Sequence, residues 1–200
     1  MGCLLAVCTG AARAQSGASP YQLPDFSATQ VLHTSRYDVT MQVYWTSRAV
    51  RAQYNPSLAR LYILGKNAVY NLTQYPDGSR TCVDFPLDRG MGLPNLLELL
   101  QAATVTRTPL GIEVVEGHKS RIERVVAAAP GGKTSEFTVW LADDLKGIPI
   151  KIESQHTGMK ITAVYRDIVF ATADSALVTP PGRCIPWDKM GQIAEHKVFE

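Results

Sequence analysis

The sequence predicts one α+β domain, mostly antiparallel β, laid out as a meander that curls towards a barrel, with a helix covering part of it. Three observations predict this. Apolar and polar residues alternate with period two over most of the chain, turn residues punctuate the alternation, and one stretch alone, residues 94–103, switches to helical spacing. Two hundred residues with 46% apolar content suit one globular domain with a sizeable core.

The elements follow in order. Residues 1–14 read as an export leader: Leu4, Leu5, Ala6 and Val7 form an apolar run, and Ala12-Arg13-Ala14 fits small-x-small cleavage. Met1-Gly2 brings no basic residue, so the true start lies upstream or the signal is a weak one. Residues 15–24, rich in Ser, Gly, Ala and Pro, read as a flexible lead-in, residues 25–185 as the domain and 186–200 as a C-terminal extension. Val39, Met41, Val43 and Trp45 point one way against Asp38, Thr40 and Gln42, and Val50, Ala52 and Tyr54 continue the alternation. Asn55-Pro56-Ser57, Gly65-Lys66-Asn67 and Pro76-Asp77-Gly78-Ser79 are turns, the last with the Asp-Gly pair that hairpins favour.

Pro94 to Ala103 breaks the period. Proline stands near the first helical position, and Leu96, Leu97, Leu100 and Ala103 form an apolar stripe. Strands resume at Ile112–Val115 and Arg121–Ala128. Phe137, Val139 and Leu141 alternate with Glu136, Thr138 and Trp140, and Ile148, Ile150 and Ile152 with Lys151 and Glu153. A last strand spans Met159 to Phe170. A helical turn is expected near Asp188–Ala194. An alternating antiparallel sheet has one apolar and one wet face, and a single ten-residue helix covers only part of the apolar one. The rest must be filled by side chains, by the tail or by a ligand.

Cys3 and Cys8 fall in the leader, leaving Cys82 and Cys184. In an exported chain these have one possible intramolecular pairing, a staple across about a hundred residues; two buried free thiols are the alternative. A joined pair would tie the C-terminal segment to the first group of strands, as a wall of the cavity. Net charge is +2 with dispersed basic residues, which excludes a nucleic-acid footprint. Beyond the leader no run approaches the ~18 apolar residues of a membrane span.

No catalytic motif is complete. His33, His118, His156 and His196 are scattered without metal-ligand spacing. Gly131-Gly132-Lys133-Thr134 resembles the end of a phosphate loop, but Ala127 stands where glycine is needed and a strand follows. Asp143 and Asp144, adjacent in a turn, read as separately solvated carboxylates. The tryptophans read as core or cavity-rim groups. Neither a cofactor nor a metal site is expected, and the chain is expected not to be an enzyme.

The run from Phe137-Thr138-Val139-Trp140-Leu141 through Asp143-Asp144 to Gly147-Ile148-Pro149-Ile150-Lys151, followed by the strand Met159–Phe170, resembles the LolA/LolB-like superfamily. Val115-Glu116-Gly117-His118 resembles a hairpin of one of its branches. The resemblance covers about residues 37–178. It implies an unclosed, highly curved antiparallel sheet with helical lid elements over an apolar concavity, which in the namesake carriers receives acyl chains. The arginine run that holds the carriers' lid is not found; Arg48, Arg51 and Arg60 stand in the region without its pattern. The expected function is therefore binding of an acyl chain, lipid or lipoprotein by an exported, periplasmic monomer, peripheral to membranes at most. The expected lining is Val39, Met41, Val43, Trp45, Val139, Leu141, Ile150 and Ile152, with Leu96 and Leu100 from the lid. An envelope interaction or sensor domain with a self-filled core is the alternative.

Overall fold

The computed structural model describes residues 15–18, 23–64, 66, 68–86, 104–128, 134–156 and 158–190. The first strands are β1 (Gln15–Ala18), β2 (Phe26–Thr34), β3 (Asp38–Trp45), β4 (Ala49–Asn55), β5 (Leu58–Ile63), β6 (Ala68–Gln74) and β7 (Arg80–Pro86). After residues 87–103 come β8 (Thr104–Val115), β9 (His118–Ala128), β10 (Thr134–Ala142), β11 (Ile148–His156), β12 (Met159–Val169) and the short β13 (Ile185–Pro186). The described helical pieces are a single turn, α1 (Ser175–Val178), and a 3-10 turn at Trp187–Lys189. The helix expected over 94–103 lies outside the described residues.

All thirteen described strands belong to one sheet, in the order β1-β8-β9-β10-β11-β12-β2-β3-β4-β5-β6-β7-β13. Two antiparallel meanders, β2–β7 and β8–β12, are joined where β12 pairs with β2, Val164 opposite Val31 and Tyr165 opposite Gln30. β7 and β8 do not pair, so the sheet is unclosed, with β1 and β13 at its two ends. Register shifts near Trp140, Arg166 and Pro109 mark bulges, which bend and twist a sheet.

Local chemistry explains the hairpins. The Asp77 carboxylate accepts from the backbone and hydroxyl of Ser79, and Gly78 takes the left-handed conformation that the turn requires. Glu116 and Gly117 are both left-handed, the pairing that a two-residue hairpin loop needs to match strand twist.

One face of the curved sheet carries the main core. Phe26, Val43, Trp45, Val50, Val105, Val125, Val139 and Ile152 are fully buried in a cluster fed by both meanders. A smaller cluster, Trp140, Ala142 and Ile150 with Val115, Ile122, Leu145 and Ile168 against it, lies on the outer face. Trp140 alternates with the inward Val139 and Leu141, so its side chain points outward.

Cys82 and Cys184 are joined, with their Cα atoms 4.6 Å apart. The chain beyond β12 reaches this bond over the outer face rather than as a cavity wall. The backbone carbonyl of Leu177 in α1 accepts from Arg51, 3.2 Å away, and Arg51 alternates with the inward Val50 and Ala52. Ala59 and Leu61 also point outward, by alternation with the inward Tyr62, yet they are buried. Past the disulfide, β13 adds in parallel to β7, Ile185 opposite Val83.

Three further stretches differ from the sequence reading. Gln15–Ala18, within the expected lead-in, pairs with β8. Phe26–Thr34 is a central strand that period-two reading left unassigned. β8 begins at Thr104 rather than Ile112, running through Pro109 because that proline stands beside a bulge on the side where no strand pairs.

Candidate ligand-binding face

The inner face is built in rows across β2 and β3. Phe26 stands opposite Trp45, Ala28 opposite Val43, Gln30 opposite Met41 and Leu32 opposite Val39. Phe26 and Trp45 stack with ring centroids 6.0 Å apart. β4 extends the rows with Val50 and Ala52, and on the other side β12 supplies Ile161, Ala163 and Tyr165.

Of the expected lining, Met41, Val43, Trp45, Val139, Leu141 and Ile152 share this one cluster, and Val39 packs against it partly buried. Ile150 does not join them. The sheet shifts register between Trp140 and Leu141, and Ile150 packs with Trp140 in the outer cluster. Leu96 and Leu100 lie outside the described residues. The inward residues are deeply covered: Val43, Trp45, Val139 and Ile152 are 0% exposed.

The face changes character at its margins. Arg60 donates to the Asn71 side chain at 3.1 Å and lies over the Tyr54 ring at 5.4 Å, a polar margin on β4–β6. On β8 the bulge after Pro109 inverts the alternation. Glu113 and Val115 then meet the outer cluster, which leaves Ile112 and Val114 on the inner side. Both are well exposed, at 62% and 68%, and Arg121 and Lys119 of β9 stand opposite them, so a charged row separates them from the apolar cluster.

Sequence reading missed the polar groups set into this apolar face. Gln30 is 2% exposed and Trp45 0%; the Gln30 Oε1 and the Trp45 Nε1 have no hydrogen-bond partner among the described residues. Alternation along Phe26-Ala28-Gln30-Leu32 is the signal that finds Gln30, once β2 is known to be a strand.

Ionisable groups pair off at the outer surface and at the turn after β10. His118 Nδ1 meets the Asp144 carboxylate at 2.7 Å, and that hydrogen bond holds the Asp144 carboxyl below the usual aspartate range. Arg121 donates to Asp143 at 2.7 Å. Partial burial opposes ionisation of Glu153, but hydrogen bonds from Lys160 and Lys151 outweigh it and hold its carboxyl low. The two adjacent aspartates thus have separate partners. Among the described residues no three His, Cys, Asp or Glu side chains are grouped to hold a metal ion.

No family model matches the chain, nor does any curated protein. Among solved structures it is similar to the lipoprotein LppX of Mycobacterium tuberculosis, at 13% identity over 74% of this chain and 88% of that one, with a TM-score of 0.42. It is similar to LprF of Mycobacterium bovis at 12% identity, over 78% and 89% of the two chains, with a TM-score of 0.38. A LolA superfamily protein of Nitrosomonas europaea is 8% identical, over 80% and 92%, with a TM-score of 0.35. The architecture that the LolA/LolB-like resemblance implied, an unclosed and curved antiparallel sheet, is the architecture of this chain.

Proposed function

We propose that this protein is a non-enzymatic, exported binding protein that holds an acyl chain, or the acyl part of a lipidated partner, against the inner face of its curved sheet. One observation carries the reading. An apolar cluster spans both meanders of a curved sheet whose end strands, β1 and β13, do not pair with each other. An apolar face of that kind offers a hydrocarbon chain burial at about 0.8 kcal/mol per methylene, with no directional chemistry needed. Export is supported by the joined Cys82 and Cys184, since such bonds persist in oxidising compartments. The protein acts in the periplasm, as a monomer and without a cofactor.

Native mass spectrometry of protein purified from its own envelope tests this. The expected result is a mass increment that organic extraction removes and identifies as an acyl lipid. Protein that is ligand-free when isolated, and that takes up no fatty-acyl probe afterwards, overturns the reading.

A second reading is favoured by the full burial of Val43, Trp45, Val139 and Ile152. In it the face is filled by the chain itself, and the protein is an envelope interaction or sensor scaffold. Removal of residues 186–200 separates the two. A self-filled scaffold loses stability, whereas a carrier keeps its fold and exchanges an acyl probe at least as fast.

A further inference from the structure

The inner face is not uniformly apolar. Gln30 stands in the middle of it, on β2, between Met41 of β3 and Tyr165 of β12. Its Oε1 is buried and has no hydrogen-bond partner among the described residues. The Trp45 Nε1–H is in the same condition four residues along β3, about 13 Å away along the strand. Between the two lie Ala28 and Val43, among the smaller side chains of the cluster. A buried donor or acceptor left unmade costs the free energy of taking it out of water, and most such groups in folded proteins are paired. Methionine at position 30 and phenylalanine at position 45 would fill similar volumes without that cost.

We infer that Gln30 and Trp45 are recognition groups for the polar functions of the bound lipid, so that the preferred ligand is an acyl chain bearing a hydroxyl or an amide along its length rather than a plain hydrocarbon tail. This rests on the acyl-binding reading above and narrows it. A chain hydroxyl can donate to the Gln30 carbonyl or accept from its amide, so it satisfies either orientation of that side chain. The Trp45 Nε1–H can only donate, so it meets a carboxylate, ester or amide oxygen. A site built to hydrogen-bond a ligand group rejects the analogue lacking it, because the protein group is then left buried and unpaired.

The test uses the full chain and two probes of equal length, hexadecanoic acid and 11-hydroxyhexadecanoic acid, whose hydroxyl stands about as far from its carboxylate as Gln30 from Trp45, with binding followed by calorimetry. The wild type is expected to bind the hydroxylated acid at least about tenfold more tightly, the worth of one such hydrogen bond. Gln30→Met is expected to bring the two probes within about twofold of each other, through loss of the hydroxylated acid's advantage. Trp45→Phe should weaken both acids alike if its N–H meets the carboxylate. In the ligand-free protein, Gln30→Met should also raise Tm by a few degrees, since it removes an unpaired buried amide.

Equal affinities in the wild type, a preference that survives Gln30→Met, or a Tm lowered by that substitution each overturn the inference and leave acyl binding standing. Failure to bind either acid overturns both.

Discussion

Two tryptophans on opposite faces of the same sheet meet opposite fates. Trp140 points outward: its Nε1 donates to Glu113 at 2.6 Å, and the Lys151 ammonium lies 4.1 Å from its ring centroid. Trp45 points inward: it stacks on Phe26, is wholly buried, and its Nε1 has no hydrogen-bond partner among the described residues. On the outer face these contacts tie β8, β10 and β11 together. On the inner face the apolar side chains are buried, while the Gln30 Oε1 and Trp45 Nε1 have no partner among the described residues. A folding requirement alone explains the first tryptophan and does not explain the second. The difference assigns structural work to one face and is the ground on which a ligand is proposed at the other.

The largest effect is expected from Trp45→Ala. Truncating a fully buried indole removes its packing and leaves a cavity, at about 3–5 kcal/mol, read as a fall in the urea midpoint with an unchanged slope. A loss below ~1 kcal/mol would mean that the inner cluster is not the core, and the contrast between the faces would collapse.

Next comes the outer strap. Cys184→Ala removes the bond that closes a separation of 102 residues and should cost about 2–4 kcal/mol of stability. Because the strap crosses the outer face, binding of an acyl probe at the inner face should change little in that variant. A matching loss of binding would place the strap's influence inside.

Trp140→Phe should cost about 1 kcal/mol, the worth of the hydrogen bond to a charged partner at a partly exposed site. Trp45→Phe should cost less in the ligand-free protein despite deeper burial, since its N–H has no bond to lose. Denaturant melts of the two variants side by side give the comparison directly, and the reverse order would break it.

The smallest effect concerns pH. The Glu153 carboxyl is held below its ordinary value in the folded protein. The folded-state pKa is thus lower than the unfolded one. The stability it contributes is present above the unfolded pKa, near 4.3, and is lost as pH falls through the lower folded value. Glu153→Gln should flatten the stability curve in that acid window by less than about 1 kcal/mol, since its lysine pairs are partly solvated. Chemical melts from pH 3 to 6 measure it, and an unchanged curve would show that Lys151 and Lys160 do not hold the carboxylate.

Much of the inner face was legible in the chain. Met41, Val43 and Trp45 alternate strictly, and β3 has no bulge to disturb them, so period two placed them together. Ile150 alternates as regularly in sequence, but it is itself the extra residue of the bulge between the partners of Trp140 and Leu141 and packs on the other face, and a bulge carries no period. β2 escaped notice because Gln30 and Ala28 dilute its inward row, and the first part of β8 because Pro109 and its threonines read as loop. The residue that hid β2 is also the one that makes its face chemically specific.

By itself the sequence determined the local matters: which residues alternate, where the chain turns, and which two cysteines outside the leader could meet. These depend on neighbours within a few positions, where pleat geometry and turn conformation act directly. Only the tertiary structure decided that β2 pairs with β12 about 130 residues away, that the strap to Cys184 runs outside, and that Ile150 leaves the inner face. Those outcomes depend on long-range pairing and on register, and register is set by the whole sheet rather than by any one strand.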